Sequence, residues 1–104
     1  MEEKALQFVT YYEKQLEIAK RFTLIRKMRK ISQQRLSELS DVSYASIRRF
    51  EKTGDISLAS LVKLCLSLQL YEDLDNLFNI QNEYQSIEDV ILAQRISDRM
   101  NRLK

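Results

Sequence analysis

One glycine, Gly54, and no proline interrupt 104 residues. Glycine and proline are the usual breakers of helices and makers of turns. A chain almost without them, and rich in Leu, Lys, Glu and Gln, favours helix along most of its length. The fold class expected is all-α. The same scarcity excludes the loops GxxxxGK[ST] and GxGxxG, which cradle phosphates only because several glycines let the backbone approach. No histidine is present, which excludes an imidazole base and a His-ligated metal. Cys65 is the lone cysteine, so no internal disulfide or CxxC clip forms, and in an apolar stripe it reads as core filler. The chain is therefore read as no enzyme, with no cofactor and no metal. Asp73, Asp75, Glu88 and Asp89 are read as acids favoured by helix starts rather than as ligands. A chain of this length can bury roughly 60–70% of its unfolded surface without a covalent staple. No apolar run approaches the ~18 residues of a membrane span, and the N-terminus lacks a signal-peptide core, so the expected setting is the cytoplasm, with no membrane partner.

Charge is unevenly distributed. Residues 20–52 hold ten basic side chains against three acidic ones, a net +7 within a chain of net +2. Residues 71–89 carry Glu72, Asp73, Asp75, Glu83, Glu88 and Asp89 with no base, and the end turns basic again through Arg95, Arg99, Arg102 and Lys104. A basic block within a folded domain is an electrostatic footprint for a polyanion, although a solvated helix face gives the same charge count.

The spacing of apolar residues divides the chain into helices. Residues 3–30 read as helix, either continuous or broken near Arg21–Thr23, with Ala5, Val9, Tyr12, Leu16 and Ala19 on one stripe and Ile18, Phe22 and Ile25 on a displaced one. Ser32 reads as the N-cap of a helix over 33–40 that buries Leu36 and Leu39. Ser43 reads as the N-cap of a helix from Tyr44 to about Lys52, with Ile47 and Phe50 inward. Thr53-Gly54-Asp55 ends it, Gly54 being free to take a positive φ. Ser57 caps a helix over 58–68, with Leu58, Leu61, Val62, Cys65 and Leu68 on one side and Leu64 and Leu66 on others. A short acidic helix over 71–78 turns Leu74, Leu77 and Phe78 inward. Residues 79–85 form a polar linker, and Ser86 and Asp89 open a last helix in a loose capping-box pattern. Ile87, Val90, Ile91, Ile96, Met100 and Leu103 are its apolar positions.

Two short capped helices joined by a turn of about three residues outline a helix-turn-helix. Leu36, Val42, Ile47 and Phe50 supply apolar pegs beneath the turn, and Ser37 is small where the helices touch. With Ile47 and Phe50 inward, Tyr44, Ala45, Arg48 and Arg49 face outward. The N-terminus of the second helix offers free N–H groups suited to phosphate.

Residues 32–51 resemble the DNA-binding helix-turn-helix of the lambda-repressor-like family (XRE, or Cro/cI type), whose pattern runs L-S-Q-x-x-L-A-x-x-x-G-V-S-x-x-x-I-x-x-x-E. Ile31-Ser32-Gln33, Leu36, Val42-Ser43, Ile47 and Glu51 fall in register. Asp41 stands where the family has its turn glycine, and Ser37 where it has alanine; Asp tolerates left-handed geometry better than most residues. The resemblance implies a five-helix DNA-binding domain over residues 18–78, preceded by a helical extension over 1–17 and followed by a linker and C-terminal helix over 79–104. It implies base-edge contacts from Tyr44, Ala45 and Arg49, phosphate contacts from Gln33, Ser43, Ser46 and Lys52, and bracing of recognition side chains by Gln33; Arg48, pointing more sideways, reads as a phosphate contact. Arg49 has the geometry to bind guanine bidentately, Ala45 can touch a thymine methyl, and the chemistry of Tyr44 favours phosphate or sugar. The resemblance also implies a partly buried ion pair between Arg26 and Glu51.

A narrower resemblance covers Arg48-Arg49-Phe50-Glu51-Lys52-Thr53-Gly54-Asp55-Ile56-Ser57-Leu58, which is similar to R-R-F-E-x-T-G-x-I-S-L of HipB-like antitoxin regulators. Leu74–Phe78 and Tyr84–Val90 also look like that group. It implies an autoregulating bacterial repressor of double-stranded operator DNA, located at the nucleoid, that also holds a HipA-like kinase toxin. Tails in that group are often more basic than residues 95–104, and an N-terminal extension of this length is not usual there. One such domain covers few base pairs, so a homodimer is expected. The spare apolar faces of helix 58–68 and of the two tails are the candidate surfaces, unless the tails pack on their own domain. The alternative function is a protein-interaction module that binds and neutralises a partner enzyme, with DNA binding secondary.

Overall fold

The computed structural model describes residues 2–102, without the side chains of residues 2–9. Ala5 and Val9, expected on the first stripe, and Leu103 and Lys104 therefore lie outside what is described. Among the described residues every regular element is a helix: α1 (Glu2–Met28), α2 (Gln33–Ser40), α3 (Tyr44–Thr53), α4 (Leu58–Ser67), α5 (Tyr71–Asn76), a 3-10 turn (Ile80–Glu83) and α6 (Ile87–Arg102). The chain divides into two compact units, one ending at Leu74 and one beginning at Asp75.

In the first unit, local chemistry sets each helix end. Ser32, Ser43 and Ser57 each sit in extended backbone and accept from the amide three residues on, at Arg35, Ser46 and Ser60. Each such cap contributes about 1 kcal/mol. Lys30, Asp41, Gly54 and Gln69 stop the preceding helices in left-handed conformation, with φ of 58°, 61°, 80° and 58°. After Lys30 and Gln69 the next amides reach back five residues, Ile31 to Arg26 and Leu70 to Cys65, which satisfies carbonyls that a helix end leaves open.

α1 runs unbroken through Arg21–Thr23, which settles the choice between one helix and two. Its buried side is set by Ala19, Phe22 and Arg26, while Ile18 is exposed and Ile25 only half-buried. The displaced stripe expected from Ile18, Phe22 and Ile25 thus contributes Phe22 as its fully buried member. α3 packs on both α1 and α2, and α4 packs on α2. Phe50 meets Phe22 edge to face, with ring centroids 5.6 Å apart. Leu36, Ile47, Phe50, Leu64 and Leu68 are fully buried. Each contributes roughly 1.5–3 kcal/mol by leaving water.

Four apolar positions expected to turn inward are exposed. Leu39 and Leu58 are exposed, because α2 and α4 bury Leu36 and the Leu64–Cys65–Leu68 face instead. Of the two leucines expected on other sides of α4, Leu64 is buried and Leu66 points outward. Leu77 and Phe78 lie beyond the end of α5 at Asn76 and are exposed, Phe78 almost completely; only Leu74 reaches the core edge. A six-residue helix has too few turns to carry an inward stripe past Leu74. Cys65 is buried, and burial pushes its thiol above the ordinary value, with the charge of Asp73 acting in the same direction.

The second unit holds the 3-10 turn and α6. The expected cap forms in a shifted version: the Ser86 hydroxyl accepts from the Asp89 amide, and the Asp89 carboxylate reaches back to the amide of Gln85. No described residue of this unit is buried. Among the described residues no helix is long and apolar enough to cross a membrane.

Candidate functional site

The turn between α2 and α3 is closed by serines. The Asp41 amide donates to the Ser37 carbonyl, the Val42 amide to the hydroxyl of buried Ser40, and the Ser37 hydroxyl to the Val42 carbonyl at 2.6 Å. Ser37 therefore does more than save space; its hydroxyl satisfies a backbone acceptor that alanine would leave open. Ser40 does the converse, its hydroxyl accepting from a backbone donor, and no sequence pattern singled it out.

Beneath the turn lies an ionic anchor. The Arg26 guanidinium donates to both oxygens of Glu51, from Nε and Nη2, each at 2.7 Å, and from Nη1 to the Ile31 carbonyl at 2.8 Å. The side chains are 8% and 6% exposed. The Gln33 amide nitrogen donates to the same carboxylate at 2.9 Å. Burial alone raises the Glu51 pKa. Hydrogen bonds from Arg26 and Gln33 and the Arg26 charge outweigh it, so the carboxyl titrates below its ordinary value. The anchor joins the end of α1, the start of α2 and the last turn of α3. Gln33 thus uses one of its two amide hydrogens to brace α3.

With Ile47 and Phe50 buried and Glu51 held inward, α3 turns Tyr44, Ala45, Ser46, Arg48, Arg49 and Lys52 to solvent. The Arg48 guanidinium stacks over the Tyr44 ring at 5.6 Å, which stiffens both side chains at the entrance of the helix. Ser43 caps the helix and donates its own hydroxyl proton to the Ser46 hydroxyl at 2.8 Å. The amides of Tyr44 and Ala45 remain as first-turn donors without intrahelical partners. An open cleft of about 310 Å³ beside this point is lined by Arg26, Ser32, Gln33, Gln34 and Tyr44.

Arg49 is turned toward the loop after α3, where its Nη2 pairs with Asp55. Ser46, Arg49, Asp55, Ile56, Ser57 and Ser60 frame a polar cleft of about 200 Å³. The Thr53 hydroxyl donates to the Arg49 carbonyl and accepts from the Asp55 amide, so the loop holds Asp55 against the helix end. The Asp55 partner was missed in the sequence; the signal available was an acid placed directly after a glycine cap, six residues past an arginine. Of the residues read as contact positions, Gln33, Ser43, Tyr44 and Arg48 gather around the N-terminus of α3, Ser46 and Arg49 line the polar cleft toward the loop after it, and Ala45 and Lys52 line neither cleft.

Chemically, this surface offers cations, hydroxyls, the Asp55 carboxylate and backbone N–H donors. Protein-family models, curated proteins and solved structures yield no match to the chain.

Proposed function

We propose that the chain is a lambda-repressor-like, sequence-specific DNA-binding regulator, a repressor acting in the bacterial cytoplasm, that reads the major groove with α3. One observation carries the reading. α3 is anchored from below by the buried Arg26–Glu51 pair, and it presents an outward face of Tyr44, Ala45, Ser46, Arg48, Arg49 and Lys52. A recognition helix needs this division, rigid on the inner side and polar or cationic on the outer. In this reading Arg49, Ala45 and Tyr44 meet base edges. Gln33, Ser43, Ser46, Arg48 and Lys52 hold phosphates, Gln33 and Ser43 from the two helix N-termini. The Asp55 pair must yield, or share Arg49, when the arginine reaches a guanine.

A second reading has its own observation. Residues 75–102 carry many exposed apolar side chains and bury none, which suits a module whose main task is to hold a protein. The similarity of residues 48–58 to HipB-like antitoxins would make that protein a HipA-like kinase, with DNA binding serving autoregulation.

Fluorescence anisotropy separates the readings. DNA from directly upstream of the gene is titrated against a scrambled duplex over a range of salt. A specific repressor prefers the upstream DNA by ~10³-fold or more, with affinity falling steeply as salt rises. Equal, weak binding to both duplexes would overturn the regulator reading and leave the interaction module.

A further inference from the structure

We propose that α6 is a dimerisation element that lies antiparallel against α6 of a second copy of this chain. Leu92, Ile96 and Met100 recur every four residues along α6, so they share a face, and each is at least half exposed. Together with Ile80 and Tyr84 they line an open, mostly apolar groove of about 550 Å³ within the second unit. A 16-residue helix that buries nothing is marginal in water, and covering this face offsets that.

The layout of charge selects the occupant. Glu88 and Asp89 sit in the first turn of α6, while in its second half Arg95, Arg99 and Arg102 outweigh the single acid Asp98, with Arg99 and Arg102 in the last turn. The helix is about 24 Å long, so the two clusters act separately. A partner of a single charge sign complements one end and opposes the other. A second α6 laid parallel sets acid on acid and base on base. Laid antiparallel about a two-fold axis near Ile96, it sets acid against base at both ends at once, and stacks Leu92 of one copy on Met100 of the other. Such an interface is isologous and closes at two subunits. The inference rests on the DNA-binding reading only for why two copies are useful, since paired half-sites need paired domains. Its own test contains no DNA, so the two stand or fall separately.

The test is sedimentation of the full chain across concentration, with melting followed by circular dichroism. The wild type sediments as a dimer that dissociates on dilution. Ile96→Glu weakens the dimer at least tenfold, roughly what a charge in an apolar contact costs, with the melting of the first unit unchanged. Glu88→Arg alone, and Arg99→Glu with Arg102→Glu, each weaken self-association by about tenfold at low salt, and an equimolar mixture of the two recovers the dimer. Asp89 is left intact in these variants because it caps the helix. A wild type that stays monomeric at high concentration overturns the proposal. So do charge reversals that leave self-association unchanged. So does Ile96→Glu lowering the melting temperature of a monomer, which would mean that α6 is covered by its own chain.

Discussion

Arg26 holds both carboxylate oxygens of Glu51 and, with its remaining terminal nitrogen, the carbonyl of Ile31. Residues on α1 and α3, 25 apart in the chain, are thereby joined with almost no water between them. The pair is a fastening more than a source of net stability, because two desolvated ions repay most of their attraction as lost hydration. Its worth shows when one member is removed.

Glu51→Ala leaves the Arg26 guanidinium buried without its counter-ion. The expected cost is about 3–5 kcal/mol, the usual range for breaking a buried pair. Calorimetry should give a melting temperature lower by more than about 10 °C, or no folded state. Arg26→Ala should be similarly harmful, and the double variant should cost less than the sum of the two. A shift of only a degree or two for both would mean that the pair carries no such role.

The lowered pKa of Glu51 gives stability a definite pH dependence. The folded carboxyl titrates below its ordinary value, so the unfolded chain takes up its proton first on acidification. The contribution is whole above that value and is lost as pH falls through the lower folded value. Urea unfolding from about pH 7 down to about pH 3 should show stability declining in this acid range. Glu51→Gln should start lower and decline less over the same range.

Two left-handed positions respond in opposite ways. At Asp41, φ 61°, a Cβ costs about 1–2 kcal/mol that glycine avoids, partly offset by the entropy of a freer unfolded chain. Asp41→Gly should therefore raise the melting temperature slightly. At Gly54, φ 80°, an added Cβ would lie 2.8 Å from the backbone carbon and oxygen of Gln15. Gly54→Ala therefore combines left-handed strain with a collision against α1, and should cost at least about 2 kcal/mol. Equal melting of wild type and Gly54→Ala would contradict the close approach of α1 and α3.

Under the DNA-binding reading, Arg49 and Lys52 should fail differently. Arg49→Ala should cost about 1–3 kcal/mol at one base pair and relax preference there. Lys52→Ala should weaken binding to all duplexes alike and reduce the salt slope by about one. Anisotropy titrations on a panel of singly substituted duplexes distinguish these outcomes. Identical profiles for the two variants would remove Arg49 from the base-reading set.

The legible parts of the fold are those governed by chemistry a few residues long. Ser32, Ser43 and Ser57 were readable as caps because a cap is a bond from a hydroxyl to an amide three residues on. Asp41 and Gly54 were readable as stops because left-handed backbone restricts which residues suit it. Ile47 and Phe50 were readable as inward because both faces of α3 are strongly marked. Leu39, Leu58, Leu77 and Phe78 were not, since an apolar residue near the edge of a stripe carries no local sign of whether a neighbour will cover it.

The amino-acid sequence by itself determined that this chain is helical, where most of its helices begin and end, and which side of α3 faces water. These follow from backbone freedom, capping and periodicity, all of which act within a turn or two. Tertiary structure decided the partners: Glu51 as the group that Gln33 braces, Arg49 turned to Asp55, Ser40 closing the turn, and Gly54 pressed against Gln15. Such pairings depend on how helices approach one another, and that approach is set by the packing of the whole core, which no short stretch of sequence contains.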